Sequence, residues 1–314
     1  MKFCNSVFFW IHMGAVFLTV PSIASSTFEP EEDKLEYIDQ DLNKKFDNIS
    51  RLISETGESI GVLLQKKEIE RRYPNSTYAQ LSGSYITDRH HFGLSNFFIP
   101  NRPPLNKKQL DFLIRTEAIE EKFIQNGNKY RFLGWQYIIH IDTLAMRVVP
   151  WVNPANVVIK DIEFPKFQFF KNAVKIPVSR NVICNSPVND TGGLGDIITC
   201  TKMIFKSSRP FAILGFDLKL GELFGDLVPQ LGNINNFYIF VERSRGETIF
   251  AKPKFMDIEL KKNFELKDFD RVTFGSQQLL KFKESVYEFK EYQYDWYGLK
   301  FKLVHLKKVK TNNE

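Results

Sequence analysis

Cysteine occurs three times and histidine five times in 314 residues, and neither residue type gathers into a set that would bind zinc or form a nucleophile-base pair. His90 and His91 are adjacent but have no Glu or Cys set nearby, so they read as loop packing. No His-Glu-x-x-His run is present, and no Ser or Cys is united with a His by the order of elements, so an exported hydrolase finds little support. The chain therefore reads as non-enzymatic, with no cofactor. Past residue 24 no apolar stretch approaches the roughly 18 residues that cross a bilayer. Charge of one sign is also not concentrated. The formal net charge is +6, but the lysines are scattered, with short runs only at Lys261-Lys262 and at Lys307, Lys308 and Lys310. Nucleic-acid binding needs its bases on one element, so a solvated surface is the better reading.

What is present begins with residues 1–24, which combine Lys2, an apolar centre from Val7 to Val20, and small residues at Ser22 and Ala24. This pattern is that of a cleavable signal peptide, with an uncleaved anchor as the alternative, and it places the product in the periplasm or outside the cell. About 290 residues remain, enough for one large and one small core. An aromatic share of 14% suits β-rich packing. Residues 25–34 are acidic and read as a flexible lead-in. From Leu35 the apolar positions Ile38, Leu42, Phe46, Ile49, Ile53 and Ile60 recur at helical spacing to about Glu70, predicting one long amphipathic helix. Such a helix is either a spine along two domains or a dimerisation surface. Arg71 to Pro104, broken by Gly and Pro, reads as loops. Leu105 to Phe123 reads as a second helix with Gly127 as its exit turn.

The rest is strand-rich. Tyr130–Leu133, Trp135–Ile141 and Ala145–Val149 alternate as strands, and Phe167–Val174 has room for a short helix. Val178–Cys184 and Asp196–Phe205 flank a Gly turn, and Phe211–Phe216 completes an antiparallel sheet. A second unit from Asn235 holds strands at Phe237–Val241, Thr248–Ala251, Ser285–Tyr292 and Trp296–Leu303, the last two joined by a turn at Gln293–Asp295. The predicted class is α+β, with one long helix spanning two antiparallel-sheet modules, 35–234 and 235–305, before a basic tail, 306–314.

The candidate chemistry lies between Met146 and Leu220. The hairpin puts Asp190 near its tip, and the neighbouring strand delivers Asp217 where the chain turns into a helix. Trp151, Phe169 and Phe170 supply aromatic faces. Two carboxylates over an aromatic floor suit a small cation. The residues equally admit a plainer reading, in which Asp190 holds its turn, Asp217 caps a helix and the phenylalanines are core. Arg147 has two readings, reaching a ligand anion or pairing with a surface acid. Cys184 and Cys200 lie symmetrically about the turn. A disulfide there closes a loop of about 15 residues, worth about 3 kcal/mol in the chain-entropy account, and two buried thiols are the alternative.

In order and spacing, the long helix, Met146-Arg147-Val148-Val149-Pro150-Trp151, Phe169-Phe170-Lys171-Asn172-Ala173, Ser186-Pro187-Val188-Asn189-Asp190 and Gly215-Phe216-Asp217-Leu218 resemble the double Cache fold. That is the PAS-like extracytoplasmic sensor module of bacterial chemoreceptors and sensor kinases. The resemblance covers nearly all the chain after residue 24. It implies that the aromatic pair corresponds to Phe169 and Phe170, and that Phe167 stands where the amino-acid-binding branch carries an arginine for the ligand carboxylate. The Tyr-x-Asp element becomes Val188-Asn189-Asp190, and Asp217 matches the final aspartate. The amine-receiving half is thus retained and the carboxylate-receiving half is not. A small amine, polyamine or quaternary ammonium with an apolar body is the expected ligand, with a membrane receptor or signalling protein as a partner. The competing expectation is an exported scaffold that dimerises through its helix, its pocket closed by bulky side chains.

Overall fold

The computed structural model describes residues 29–66, 78–81, 85–88, 95–99, 105–151, 163–175, 181–190, 192–225, 237–242, 248–251, 270–274, 277–282, 285–297 and 299–308. The segment read as a signal, the pair His90-His91 and Lys261-Lys262 lie outside them. The architecture is the expected α+β arrangement of one long helix and two antiparallel sheets.

Helix α1 runs from Glu29 to Gln65, 37 residues, or about 55 Å at 1.5 Å per residue. It starts inside the stretch 25–34 read as a lead-in and stops short of Glu70. Leu42, Phe46, Ile49, Ile53, Ile60 and Leu64 are all buried, so the 3.6-residue period does lay one apolar stripe on the core. Gly57 does not merely weaken the helix. A Cβ there would stand 3.0 Å from the Lys202 side chain, so its absence lets the helix approach the sheet closely.

The stretch 71–104, read as loops, contains three short strands, β1 (Tyr78–Leu81), β2 (Tyr85–Asp88) and β3 (Asn96–Phe98). The single helix expected over 105–123 is two, α2 (Lys107–Glu117) and α3 (Glu120–Lys129). Asn106 opens α2 with a capping box that includes Gln109. The break follows from Thr116, whose hydroxyl bonds back to Phe112 O and Leu113 O while Ile119 N–H closes a tighter turn onto Thr116 O. Gly127 lies within α3 and is not an exit turn.

Next come β4 (Leu133–His140), β5 (Met146–Val149), α4 (Gln168–Lys175), β6 (Ile183–Cys184), β7 (Val188–Asp190), β8 (Gly195–Lys206), β9 (Arg209–Lys219) and α5 (Leu220–Gly225). Tyr130 to Phe132 forms the end of α3 and a turn in place of the expected strand. The first sheet has the order β1-β2-β3-β5-β4-β9-β8-β6, with β7 also on β8. Strands β8 and β9 meet through Ser207 and Ser208, both at positive φ, the conformation a two-residue hairpin turn requires. Cys184 faces Cys200 across β6 and β8, and the two are joined as a disulfide.

The second sheet holds β10 (Phe237–Glu242), β11 (Thr248–Ala251), β12 (Asp270–Phe274), β13 (Gln277–Phe282), β14 (Ser285–Trp296) and β15 (Leu299–Lys308), ordered β11-β10-β15-β14-β13-β12. Strands β12 and β13 fall between Ala251 and Ser285, where no strand was expected. The turn placed at Gln293–Asp295 lies beyond Trp296, and the long hairpin it closes reaches the first unit. Trp296 and Leu299 are buried in the same core as α1, with the Trp296 ring 4.5 Å from that of Phe46. Tyr294 donates to Asp39 on α1, and Cys184 N–H donates to Tyr297 O at 2.9 Å. Among the described residues no helix is long and apolar enough to cross a membrane.

Candidate functional site

Strand alternation gives the first sheet two different faces. One carries Ile138, Leu214, Phe216 and Ile198 onto the helices. The other carries Tyr137, Ile139, Val148, Met203 and Ile213 beneath Phe164, Phe170 and Ala173 of the α4 region. Asp217 belongs to this second face. It pairs with Thr199 across β8 and β9, two residues after Gly215, which pairs with Tyr137.

Gly215 makes the arrangement possible. A Cβ there would fall 2.2 Å from Tyr137 Cε2, so the tyrosine ring occupies space that any other residue would fill. Lying over this glycine, Tyr137 donates to Asp217 Oδ1 at 3.3 Å, and Thr199 Oγ1 donates to the same oxygen at 2.7 Å. No described residue donates to the other oxygen, Oδ2, and no described lysine or arginine pairs with the carboxylate. Asp217 is only 6% exposed. Burial, with the nearby negative charge of Asp190, pushes its pKa up to about 7 against the opposing pull of the two hydroxyl donors. The Tyr137 hydroxyl is raised well above its ordinary value by burial first and by Asp217 second. Asp217 lies within β9, two residues before its end, so it is not the cap of a helix.

Asp190 behaves differently. Its Oδ2 accepts from Leu194 N–H at 2.9 Å and from the Trp135 indole at 3.3 Å, and its carbonyl accepts from Gly193 N–H. It therefore organises the hairpin tip, while its charge is felt at Asp217. Phe169 is partly buried with its ring 5.9 Å from Tyr137. Phe167 is 45% exposed and packs on Phe169 at 5.7 Å. Phe170 is core, Val188 is exposed on the edge strand, and Trp151 is half-buried just past β5.

Arg147 corrects the sequence reading, because it is neither at the surface nor on the Asp217 face. Its register with Phe97 and Ile138 puts it on the helix face. There its three nitrogens donate to Thr116 Oγ1, Ser95 Oγ and Leu113 O. Both roles considered for it, ligand anion and surface acid, are thereby excluded.

Tyr137, Thr199 and Trp135 escaped the sequence reading. The register that puts Thr199 opposite Asp217 and Tyr137 opposite Gly215 brings two of them to the site, and residue order alone does not supply it. Gly57-Glu58-Ser59-Ile60-Gly61 spells Gly-x-Ser-x-Gly, but it sits inside α1 with Ser59 Oγ bonded to Glu55 O, whereas a nucleophile needs a strand-to-helix turn. Among the described residues no group of three or more His, Cys, Asp or Glu could hold a metal ion.

No protein-family model matches this chain, and no curated protein does. Solved structures do. The chain is similar to the sensory domain of the Campylobacter jejuni chemoreceptor Tlp3 (CcmL), with a TM-score of 0.47 and 11% identity over 91% of this chain and 98% of that one. It is also similar to the ligand-binding domain of the Pseudomonas fluorescens chemoreceptor CtaA in complex with L-serine, at 0.45 and 13% over 88% and 98%. A third match is the ligand-binding domain of the Pseudomonas aeruginosa PAO1 amino acid chemoreceptor PctB in complex with L-Arg, at 0.42 and 13% over 64% and 83%. In each case the similar protein is a chemoreceptor ligand-binding or sensory domain.

Proposed function

We propose that this chain is an exported, non-enzymatic binding protein of double Cache type, and that it recognises a small ligand bearing a protonated amine or quaternary ammonium. The observation that carries the reading is Asp217, a buried carboxylate with one oxygen held by Tyr137 and Thr199 and the other without a donor among the described residues. A buried charge with no partner is costly, and a cation in its place removes that cost. The Tyr137 and Phe169 rings add aromatic surface beside it, which suits an ammonium with an apolar body. With Phe167 standing in for the arginine of the amino-acid-binding branch, the reading favours an amine without a carboxylate. A ligand-dependent shape presented to a membrane receptor is the expected output.

The test is thermal melting against phenethylamine, putrescine and choline, with benzoate as an anionic control, followed by titration calorimetry on the best amine. A ligand of the native state raises the midpoint by mass action. Asp217→Asn is expected to weaken that amine by at least about tenfold. A flat melting midpoint with every amine, or an Asp217→Asn protein that binds undiminished, rejects the proposal.

A further inference from the structure

A cavity of about 430 Å³ opens at the end of the first sheet where α3 stops, and Asp217 is not among the residues that line it. That size lies within the range of small-molecule pockets. Buried Phe123, Leu133 and Val149 give it an apolar floor. Gly127 and Asn128 form part of its wall and stand in the last turn of α3, where helix carbonyls lack intrahelical partners. Tyr130 N–H closes onto Asn126 O and Leu133 N–H onto Tyr130 O, and no described residue donates to the carbonyls of Gly127 or Asn128. The negative end of a helix dipole with open carbonyls favours a hydrogen-bond donor and disfavours an anion. The one ammonium on the lining, Lys219, is 3.6 Å from Glu222 and already has its counter-charge.

We infer that this cavity is a second ligand site, which takes a small, flat, apolar molecule carrying one N–H or O–H donor, of the size and kind of indole. Its occupant reaches the hairpin tip. Trp135 and Leu194 both line the cavity, and theirs are the two N–H groups that hold Asp190 Oδ2. A molecule lodged there bears on the clamp at Asp190 without touching Asp217.

Nitrogen-15 NMR of the indole N–H of Trp135, assigned by its loss in Trp135→Phe, reads this directly. The probes are indole and benzofuran, which share a shape but differ in the N–H. Indole is expected to shift the resonance saturably with a Kd near or below about 1 mM, and benzofuran to bind about tenfold more weakly. Ile124→Trp, which fills the cavity from the half-buried side of α3, is expected to abolish the indole shift. Leu194→Trp serves the same purpose from the opposite wall if the first variant fails to fold. No shift with indole at about 5 mM, equal binding of benzofuran, or an indole shift that survives in a folded, filled variant each overturns the inference. Because the probes are uncharged and Asp217 is untouched, failure here leaves the amine proposal standing, and failure of the amine proposal leaves this one standing.

Discussion

Arg147 and Asp217 stand on opposite faces of one sheet, at 3% and 6% exposure, and the sheet treats their charges differently. Around Arg147 every side-chain nitrogen has an acceptor, and the guanidinium also lies 5.7 Å from the centre of the Phe97 ring. Around Asp217 only one oxygen is served, and the nearest named charge, Asp190, has the same sign. A buried charge bonded through each of its nitrogens to its own chain holds the fold together. One left half-filled is held at a cost by the fold and gains when something arrives.

Arg147→Met should produce the largest effect, because it removes three buried hydrogen bonds at once. We expect a loss of about 3 to 5 kcal/mol by urea denaturation, with amine affinity unchanged in whatever remains folded. A loss under about 1 kcal/mol would break the comparison on its settled side. The disulfide belongs to that same side, and replacing Cys184 and Cys200 together by Ala should cost about 3 kcal/mol, read as a lower urea midpoint.

Asp217→Asn sharpens the contrast because its sign is opposite. The native pKa near 7, set against about 3.9 in the unfolded chain, means the folded protein holds a proton that the unfolded one has released. The associated stability is fully present below about pH 4 and lost as pH rises to about 7. Asp217→Asn should therefore be more stable than the parent above pH 7, by about 1 to 3 kcal/mol, with the gap closing towards pH 4. Equal melting curves at pH 8 would count against the buried-charge argument. The smallest expected effect is on binding itself. Between pH 6 and pH 8 the ionised fraction of Asp217 rises from about one-tenth to about nine-tenths, so the affinity for an amine protonated throughout should rise about ninefold. Calorimetry in buffers of different ionisation enthalpy should also register a proton released on binding near pH 7.

The long helix, the hairpin about the Gly turn and the facing cysteines could be read from residue order, because each rests on local periodicity or symmetry about a turn. The short strands β1 to β3 could not, since three or four residues between glycines and prolines carry too little pattern. Strands β12 and β13 were hidden in the same way by charged residues. At the site, the acids and aromatics drew notice by type, but their roles depended on which face each occupied. Arg147 and Val148 are neighbours in sequence and point to opposite sides of the sheet, a distinction set by register with β3 and β4 and invisible without it. Tyr137 was equally hidden, because its importance comes from a glycine on the adjacent strand.

The hairpin tip of β14 and β15 ends against Phe46 and the disulfide strand, and that has a practical meaning for anyone dividing the molecule. The boundary expected from the sequence near residue 235 would divide the chain in two, but Trp296 and Leu299 act as a stopper in the opening between α1 and the first sheet. Truncation at that boundary would uncork an aromatic hollow and leave its rim sticky.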